Sequence, residues 1–165
     1  MTDRSPAVQP EQLDMGLLSY LVGLNFNRSV KEALAARGHA VRPGLGFLIQ
    51  HLIVQPRTAT ELAQLMGVSQ QAASKSVKEL LALGYVEHLP SPSDARWRLV
   101  QLSEAGWDLI GATRTLRGEV AADMLDGLDE KHIASARKVL LHCLERLGGM
   151  EAVRTRRVQD GAERC

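Results

Sequence analysis

Residues 58–103 decide the fold, and they have the sequence TATELAQLMGVSQQAASKSVKELLALGYVEHLPSPSDARWRLVQLS. The stretch begins as a short helix, because Thr58 can cap it and Glu61 can reach back to the Thr58 N–H in a capping box. The apolar residues at helical spacing are Leu62, Ala63, Leu65 and Met66. Gly67 predicts the end of this helix, since glycine adopts a left-handed conformation at little cost. We expect Val68 to point inward and tie the turn to the core.

A second helix is predicted over residues 70–83, between a Ser69 cap and a terminating Gly84. One of its faces is apolar and consists of Ala73, Val77 and Leu80. Another face carries amides, a hydroxyl and two amines, from Gln70, Gln71, Ser74, Lys75 and Lys78. Such groups contact base edges and phosphates in a DNA major groove. A solvated helix surface is the alternative interpretation, but the neighbouring elements favour the first.

Residues 85–89 and 97–102 alternate in polarity and are rich in strand formers, so they predict a β-hairpin. In and beside the loop between them, Arg96 and Arg98 are placed to enter a minor groove or contact its phosphates. Asp94 is expected to hold the Arg96 side chain. An ordinary exposed loop with a surface ion pair is the alternative. Two short helices followed by such a hairpin form a winged helix-turn-helix.

This order of elements resembles the MarR family of bacterial transcription regulators. In that family the loop commonly contains Asp-Arg-Arg, and Leu-Thr-x-x-Gly opens the following helix. Asp94 and Arg96 match the loop motif at its first and third positions, whereas Ala95 stands where the family commonly has Arg. The helix-opening motif is matched, with Ser for Thr, by Leu102, Ser103 and Gly106. The resemblance is strong over residues 58–106 and rests on length and helix order elsewhere.

The resemblance implies a mainly α-helical fold with a small β-hairpin, in which a winged helix-turn-helix is flanked by dimerisation helices. It implies a homodimer that binds double-stranded DNA at a pseudo-palindromic site, with its recognition helices about one DNA turn apart. Packing within one chain is the alternative for the flanking helices. The Thr58 and Ser69 caps would lie near phosphates, because helix N-termini favour anions.

The implied function is a sequence-specific transcription regulator, a repressor that a small aromatic or anionic effector releases from its operator. Four residues are candidates for the effector crevice, although core packing is the favoured interpretation for each: Phe26, Phe47, His51 and Trp107. The alternative function is a winged helix that binds another protein and has no DNA affinity.

The predicted organisation is a flexible arm, one domain and a charged mobile tail. The arm is residues 1–10, and the tail is residues 148–165. The domain spans residues 11–147, in three parts: N-terminal helices at 11–56, the winged helix at 57–103 and C-terminal dimerisation helices at 104–147. Pro43 is expected to open the second of the N-terminal helices.

The composition is that of one globular domain, with 165 residues of which 45% are hydrophobic and 24% charged. The net charge is only +1, and within residues 58–103 four basic residues balance four acidic ones. DNA binding would therefore depend on where the charges lie and not on a bulk positive field. The neutral balance is the observation that favours the protein-contact alternative.

No cofactor or metal site is predicted, because the five histidines and two cysteines lack the spacing of metal ligands. We expect Cys143 to be a small core residue of the last helix. An enzyme is not expected, since no nucleophile–base pattern stands out. The N-terminal residues show no apolar signal core after a basic stretch, and no run reaches membrane-spanning length, so we expect a cytoplasmic protein.

Overall fold

The structure is a computed structural model that describes residues 9–39, 42, 44–89 and 99–150. These residues form six α-helices and one antiparallel hairpin, so the predicted fold class is confirmed. The helices are α1 (Met15–Ala36), α2 (Leu45–Leu52), α3 (Ala59–Met66), α4 (Gln70–Ala82), α5 (Glu104–Leu125) and α6 (Glu130–Arg146). The strands are β1 (Val86–His88) and β2 (Val100–Leu102), and a short 3-10 helix, Pro10–Gln12, precedes α1.

The helix starts follow from local capping. The side chains of Thr58 and Ser69 cap α3 and α4 as predicted, and those of Ser103 and Asp129 cap α5 and α6 in the same way. The first long helix was predicted from residue 11 but begins at Met15. The reason is that Asp14 accepts a hydrogen bond from the Leu17 N–H at 2.9 Å and caps the helix there. Pro43, the predicted opener of α2, lies outside the described residues.

Glycines end α3 and α4. Gly67 and Gly84 have backbone φ angles of 66° and 75°, which residues with a Cβ atom rarely adopt. The prediction for Val68 is wrong, because its side chain is 41% exposed. The Val68 N–H closes the turn on the Ala63 carbonyl, while the side chain turns toward solvent. Leu62 and Ala63 provide the buried contacts of this region instead.

The core lies in the winged-helix lobe, where α2, α3, α4 and the start of α5 pack against the hairpin. Its largest fully buried side chains are Leu45, Leu48, Leu62, Leu80 and Val100. Arg57 forms an isolated antiparallel bridge with Val100 of β2, and the two residues exchange backbone hydrogen bonds of 3.0 and 2.8 Å. The start of α3 is thereby fixed to the hairpin.

The remaining helices bury little of their apolar surface. α1 packs along α5, but α6 has no buried residue. Cys143 was predicted to be a core residue, and this is wrong within one chain, because it is only partly covered on α6. Large apolar side chains at the surface of α1 and α6 include Leu17, Val22, Leu24, Leu140 and Leu144, and Leu147 is exposed just beyond α6. None of the helices in the described ranges is long and apolar enough to cross a membrane.

Candidate nucleic-acid interface

The exposed side of α4 carries the polar groups of the candidate site. Gln71, Lys75 and Lys78 are exposed, and at about 100° per residue they project within a sector roughly 60° wide. This sector lies opposite the buried side chains of Ala73, Val77 and Leu80. We call Gln71, Lys75 and Lys78 the polar face of α4.

Gln70 and Ser74 lie at one edge of the polar face and not within it. The Gln70 side-chain amide donates to the Thr60 hydroxyl of α3 at 3.0 Å. Ser74 is half-buried on the same side of the helix. The structure therefore brings Gln71, Lys75 and Lys78 together, and it places Gln70 in a contact between the two helices of the helix-turn-helix.

Glu79 lies at the other edge of the polar face and is the one acidic residue of α4, which the structure describes in full. The Arg42 Nε donates to both Glu79 carboxylate oxygens, at 2.7 and 2.6 Å. Arg42 Nη2 also lies 3.4 Å from the Ser76 hydroxyl, one helical turn away. The only carboxylate on the recognition helix is thus neutralised by a cation from the segment between α1 and α2.

The capping box at the start of α3 is present as predicted. The Glu61 N–H donates to the Thr58 hydroxyl at 3.2 Å, and the Glu61 carboxylate accepts from the Thr58 N–H at 2.7 Å and from its hydroxyl at 2.9 Å. The backbone N–H of Thr58, and then its hydroxyl, lower the pKa of the Glu61 carboxyl. The Ser69 hydroxyl caps α4 by accepting from the Ala72 N–H at 3.2 Å.

The base of the hairpin is tied to the end of α4. Ser103 donates its hydroxyl to the Gly84 carbonyl at 2.5 Å and its N–H to the Tyr85 carbonyl at 3.1 Å. A Cβ at Gly106 would overlap the Tyr85 carbonyl oxygen, so only glycine lets α5 approach this closely. This contact gives a physical reason for the glycine in the helix-opening motif.

The strands pair Val86 with Leu102 and His88 with Val100. Gln101 donates its side-chain amide to the Glu87 carboxylate at 2.7 Å across the two strands. Arg96 and Arg98, the wing residues predicted to contact DNA, lie outside the described residues, and so does Asp94, which was predicted to hold Arg96.

The four candidates for an effector crevice lie on three helices, α1, α2 and α5. Trp107 is 49% exposed on α5, so the favoured core packing is wrong for it. Phe26 is partly buried, and its ring lies 4.8 Å from the Arg117 guanidinium. Phe47 and His51 are partly buried in α2. Sequence reasoning missed the His39–Tyr85 contact, in which the imidazole Nδ1 lies 3.3 Å from the phenol oxygen.

A groove of about 410 Å³ runs between α1 and α5. Its apolar lining includes Leu18, Leu21, Val22, Phe26, Val120 and Met124. Within the described part of the chain, no group of three His, Cys, Asp or Glu side chains is placed to hold a metal ion.

The arrangement defines a class of protein: a winged helix-turn-helix with an exposed polar recognition helix, flanked by helices whose apolar surfaces are largely uncovered. Comparison with known families agrees with this, since the sequence model of the MarR family matches residues 47–96. A comparison with curated protein sequences finds no match.

Solved structures of MarR-family proteins share the fold over most of the chain. Wild-type apo MarR from E. coli is 22% identical, with a TM-score of 0.60, over 80% of this chain and 98% of that one. A mutant of MepR from S. aureus bound to an oligodeoxyribonucleotide is 14% identical, with a TM-score of 0.63, over 82% and 99%. YusO from Bacillus subtilis is 18% identical, with a TM-score of 0.68, over 84% and 99%. The resemblance to the MarR family is therefore confirmed, in sequence over residues 47–96 and in fold over about four-fifths of the chain.

Proposed function

We propose that the protein is a sequence-specific regulator of transcription that binds double-stranded DNA as a homodimer. It acts as a repressor, and a small aromatic or anionic effector releases it from a pseudo-palindromic operator. The observation that carries this proposal is the polar face of α4, with an amide and two amines on an exposed helix of a helix-turn-helix. The MepR mutant bound to an oligodeoxyribonucleotide, which has the same fold, supports the choice of DNA as the partner.

Each group of the polar face has a role that its chemistry suits. The Gln71 amide can donate and accept, which matches the paired groups on an adenine edge. The amines of Lys75 and Lys78 can donate to guanine acceptors or to phosphate oxygens. Pairing with Arg42 removes the repulsion that the Glu79 carboxylate would otherwise exert on the DNA backbone.

The wing and the helix caps extend this contact beyond α4. Arg96 and Arg98 would enter or border the minor groove, with Asp94 holding Arg96. The N-termini of α3 and α4, capped by Thr58 and Ser69, would face phosphates, because helix N-termini carry partial positive charge.

The uncovered apolar surface supports a dimer formed by α1, α5 and α6. No residue of α6 is buried within the chain, and even its large apolar side chains Leu140 and Leu144 are 46% and 38% exposed. A contiguous apolar surface of this kind marks an interaction site. The groove between α1 and α5 offers a complementary apolar surface to a helix of a second copy. A two-fold axis then sets two copies of α4 about one DNA turn apart.

An effector can release the protein from DNA only if it binds more tightly to the conformation that cannot bind DNA than to the DNA-bound conformation. Such a ligand would act at the junction between the flanking helices and the winged-helix lobe, because movement there changes the distance between the two α4 helices of the dimer. His39 and Tyr85 meet at this junction.

Selection from a pool of randomised duplexes tests the proposal without knowledge of the operator. We expect enrichment of an inverted repeat whose half-sites lie about one DNA turn apart. Lys75→Ala or Gln71→Ala should change the enriched bases within each half-site. A folded dimer that enriches no sequence would contradict the proposal and would favour the protein-contact function.

A further inference from the structure

Two polar contacts hold α4 from opposite sides of its polar face. One joins Gln70 to Thr60 of α3, within the helix-turn-helix itself. The other joins Glu79 to Arg42, which lies between α1 and α2 and is 37 residues distant in sequence. The first contact is local to the lobe, whereas the second reaches the segment that continues from the proposed dimerisation helix.

We infer that Arg42 is a positioning residue for DNA recognition, which holds α4 in its orientation against the segment between α1 and α2 through Glu79 and Ser76. The inference rests on the proposed function, and it assigns to this ion pair the control of operator geometry. The pair is well suited to this, because its Nε contacts both carboxylate oxygens and its Nη2 approaches a second residue one turn away. A guanidinium held by two residues of one helix resists rotation of that helix about its own axis.

The path from Arg42 to the flanking helices is short. α1 ends at Ala36, Gly38 turns the chain with φ of 85°, and Arg42 follows before α2 begins at Leu45. Arg42 thus follows the end of α1 by six residues in sequence, and its ion pair joins α4 to the segment between α1 and α2. In a dimer, the same coupling would act once in each subunit and would set the separation of the two α4 helices.

The ion pair of Arg42 with Glu79 contributes little to the stability of the fold. Both partners are partly exposed, with side-chain exposures of 47% for Arg42 and 33% for Glu79. Ion pairs at such positions contribute little to folding. Loss of the pair should therefore leave the protein folded and change the placement of α4.

The chain provides a matched control in the ion pair of Arg37 with Glu119. Its atoms are 2.9 Å apart and its side chains are 47% and 54% exposed, so it resembles the first pair in length and exposure. It joins the end of α1 to α5 and involves no residue of α4. Arg37→Ala removes one positive charge and one ion pair, as Arg42→Ala does.

The test measures the affinity of the full-length protein for inverted repeats whose spacers differ by single base pairs, beside random duplex. Arg42→Ala should lower affinity for the best spacing by roughly 2- to 5-fold, which corresponds to at most about 1 kcal/mol, the upper value for an exposed ion pair. It should also reduce the difference between spacings, while Arg37→Ala should change neither. The variant Arg42→Ala with Glu79→Ala should lose no more than the worse single variant, because both remove one interaction. Equal losses at every spacing, matched by Arg37→Ala, would overturn the inference and leave Arg42 as a general positive charge.

A second measurement separates this inference from the proposed function. Spin labels at Ala82→Cys, in a Cys143→Ser and Cys165→Ser background, report the distance between the two α4 helices of a dimer without DNA. Arg42→Ala should broaden this distance distribution, and Arg37→Ala should not. An unchanged distribution would overturn the inference even if the protein binds DNA. A broadened distribution in a protein with no DNA preference would reject the proposed function and leave Arg42 as a residue that places α4 without a role in DNA recognition.

Discussion

Gln70 donates its side-chain amide to the Thr60 hydroxyl at 3.0 Å, and this contact joins the two helices of the helix-turn-helix. Gln70 and Gln71 are adjacent and identical in chemistry, yet only Gln71 projects from the polar face. We therefore expect Gln70 to support α4 and Gln71 to be the glutamine that contacts bases.

This difference predicts that Gln71→Ala changes which bases the protein prefers, whereas Gln70→Ala leaves the preference unchanged. The expected loss of discrimination for Gln71→Ala is about 1–3 kcal/mol at one base pair, the value of a bidentate contact. Competition between single-base variants of the selected site measures it. A base preference altered only by Gln70→Ala would reverse the assignment.

Arg96→Ala should weaken binding to all DNA sequences, because a wing arginine contacts the backbone or a narrow groove. The slope of log affinity against log salt should become shallower by about 1, since one phosphate contact is lost. A filter-binding series from low to high salt measures both quantities. If Arg96→Ala binds like the wild type at every salt concentration, the wing has no part in binding.

Glu61→Gln should destabilise the protein at neutral pH, by about 0.3–1 kcal/mol for a charge in the first turn of a helix. The hydrogen bonds from Thr58 lower the pKa of this carboxyl, so its ionised form favours the folded state. That contribution is complete above the pKa of the unfolded chain and is lost as pH falls through the folded-state pKa. Denaturant unfolding from pH 7 downward should show the difference between the two proteins shrinking in acid. A difference that stays constant would contradict the role of the charge.

Gly106→Ala should destabilise the fold by about 1–3 kcal/mol, because the added methyl group must displace the Tyr85 carbonyl region from α5. Gly118→Ala is the matched control, since a Cβ there meets nothing within 4 Å and the residue also lies in α5. Thermal unfolding of the two variants compares them directly. Equal stability would mean that α5 moves away from Tyr85 without cost.

Leu140→Glu should dissociate the proposed dimer, because it places a charge in the middle of the exposed apolar surface of α6. Val54→Glu is the control, as Val54 is 67% exposed beyond the end of α2. Sedimentation analysis distinguishes monomer from dimer in each case. A Leu140→Glu protein that remains dimeric would exclude α6 from the interface.

The sequence predicted the features that are encoded locally. The caps at Thr58, Ser69, Ser103 and Asp129 fix where helices begin, since each depends on residues at most three positions away. The buried positions of α4 followed from periodicity in the same way. Short-range chemistry of this kind can be recognised without a structure.

Contacts between distant residues could not be predicted, because no local pattern marks them. Arg42 and Glu79 are far apart in sequence, and neither has a neighbour that signals the pair. Gln70 was predicted to contact DNA because its chemistry suits base contacts, but its side-chain amide is hydrogen-bonded to the Thr60 hydroxyl of α3. The exposures of Val68, Trp107 and Cys143 were wrong because an apolar side chain was assumed to be covered within its own chain.

The most direct test of the central claim is the binding of the purified full-length protein to DNA from the region upstream of its own coding sequence. Random duplex of equal length serves as the competitor, and the measurement is repeated across a salt series. We predict preference for one near-palindromic site, with affinity that falls as salt rises. A folded dimer, free of copurified ligand, that shows neither a preference nor salt-dependent binding would contradict the account.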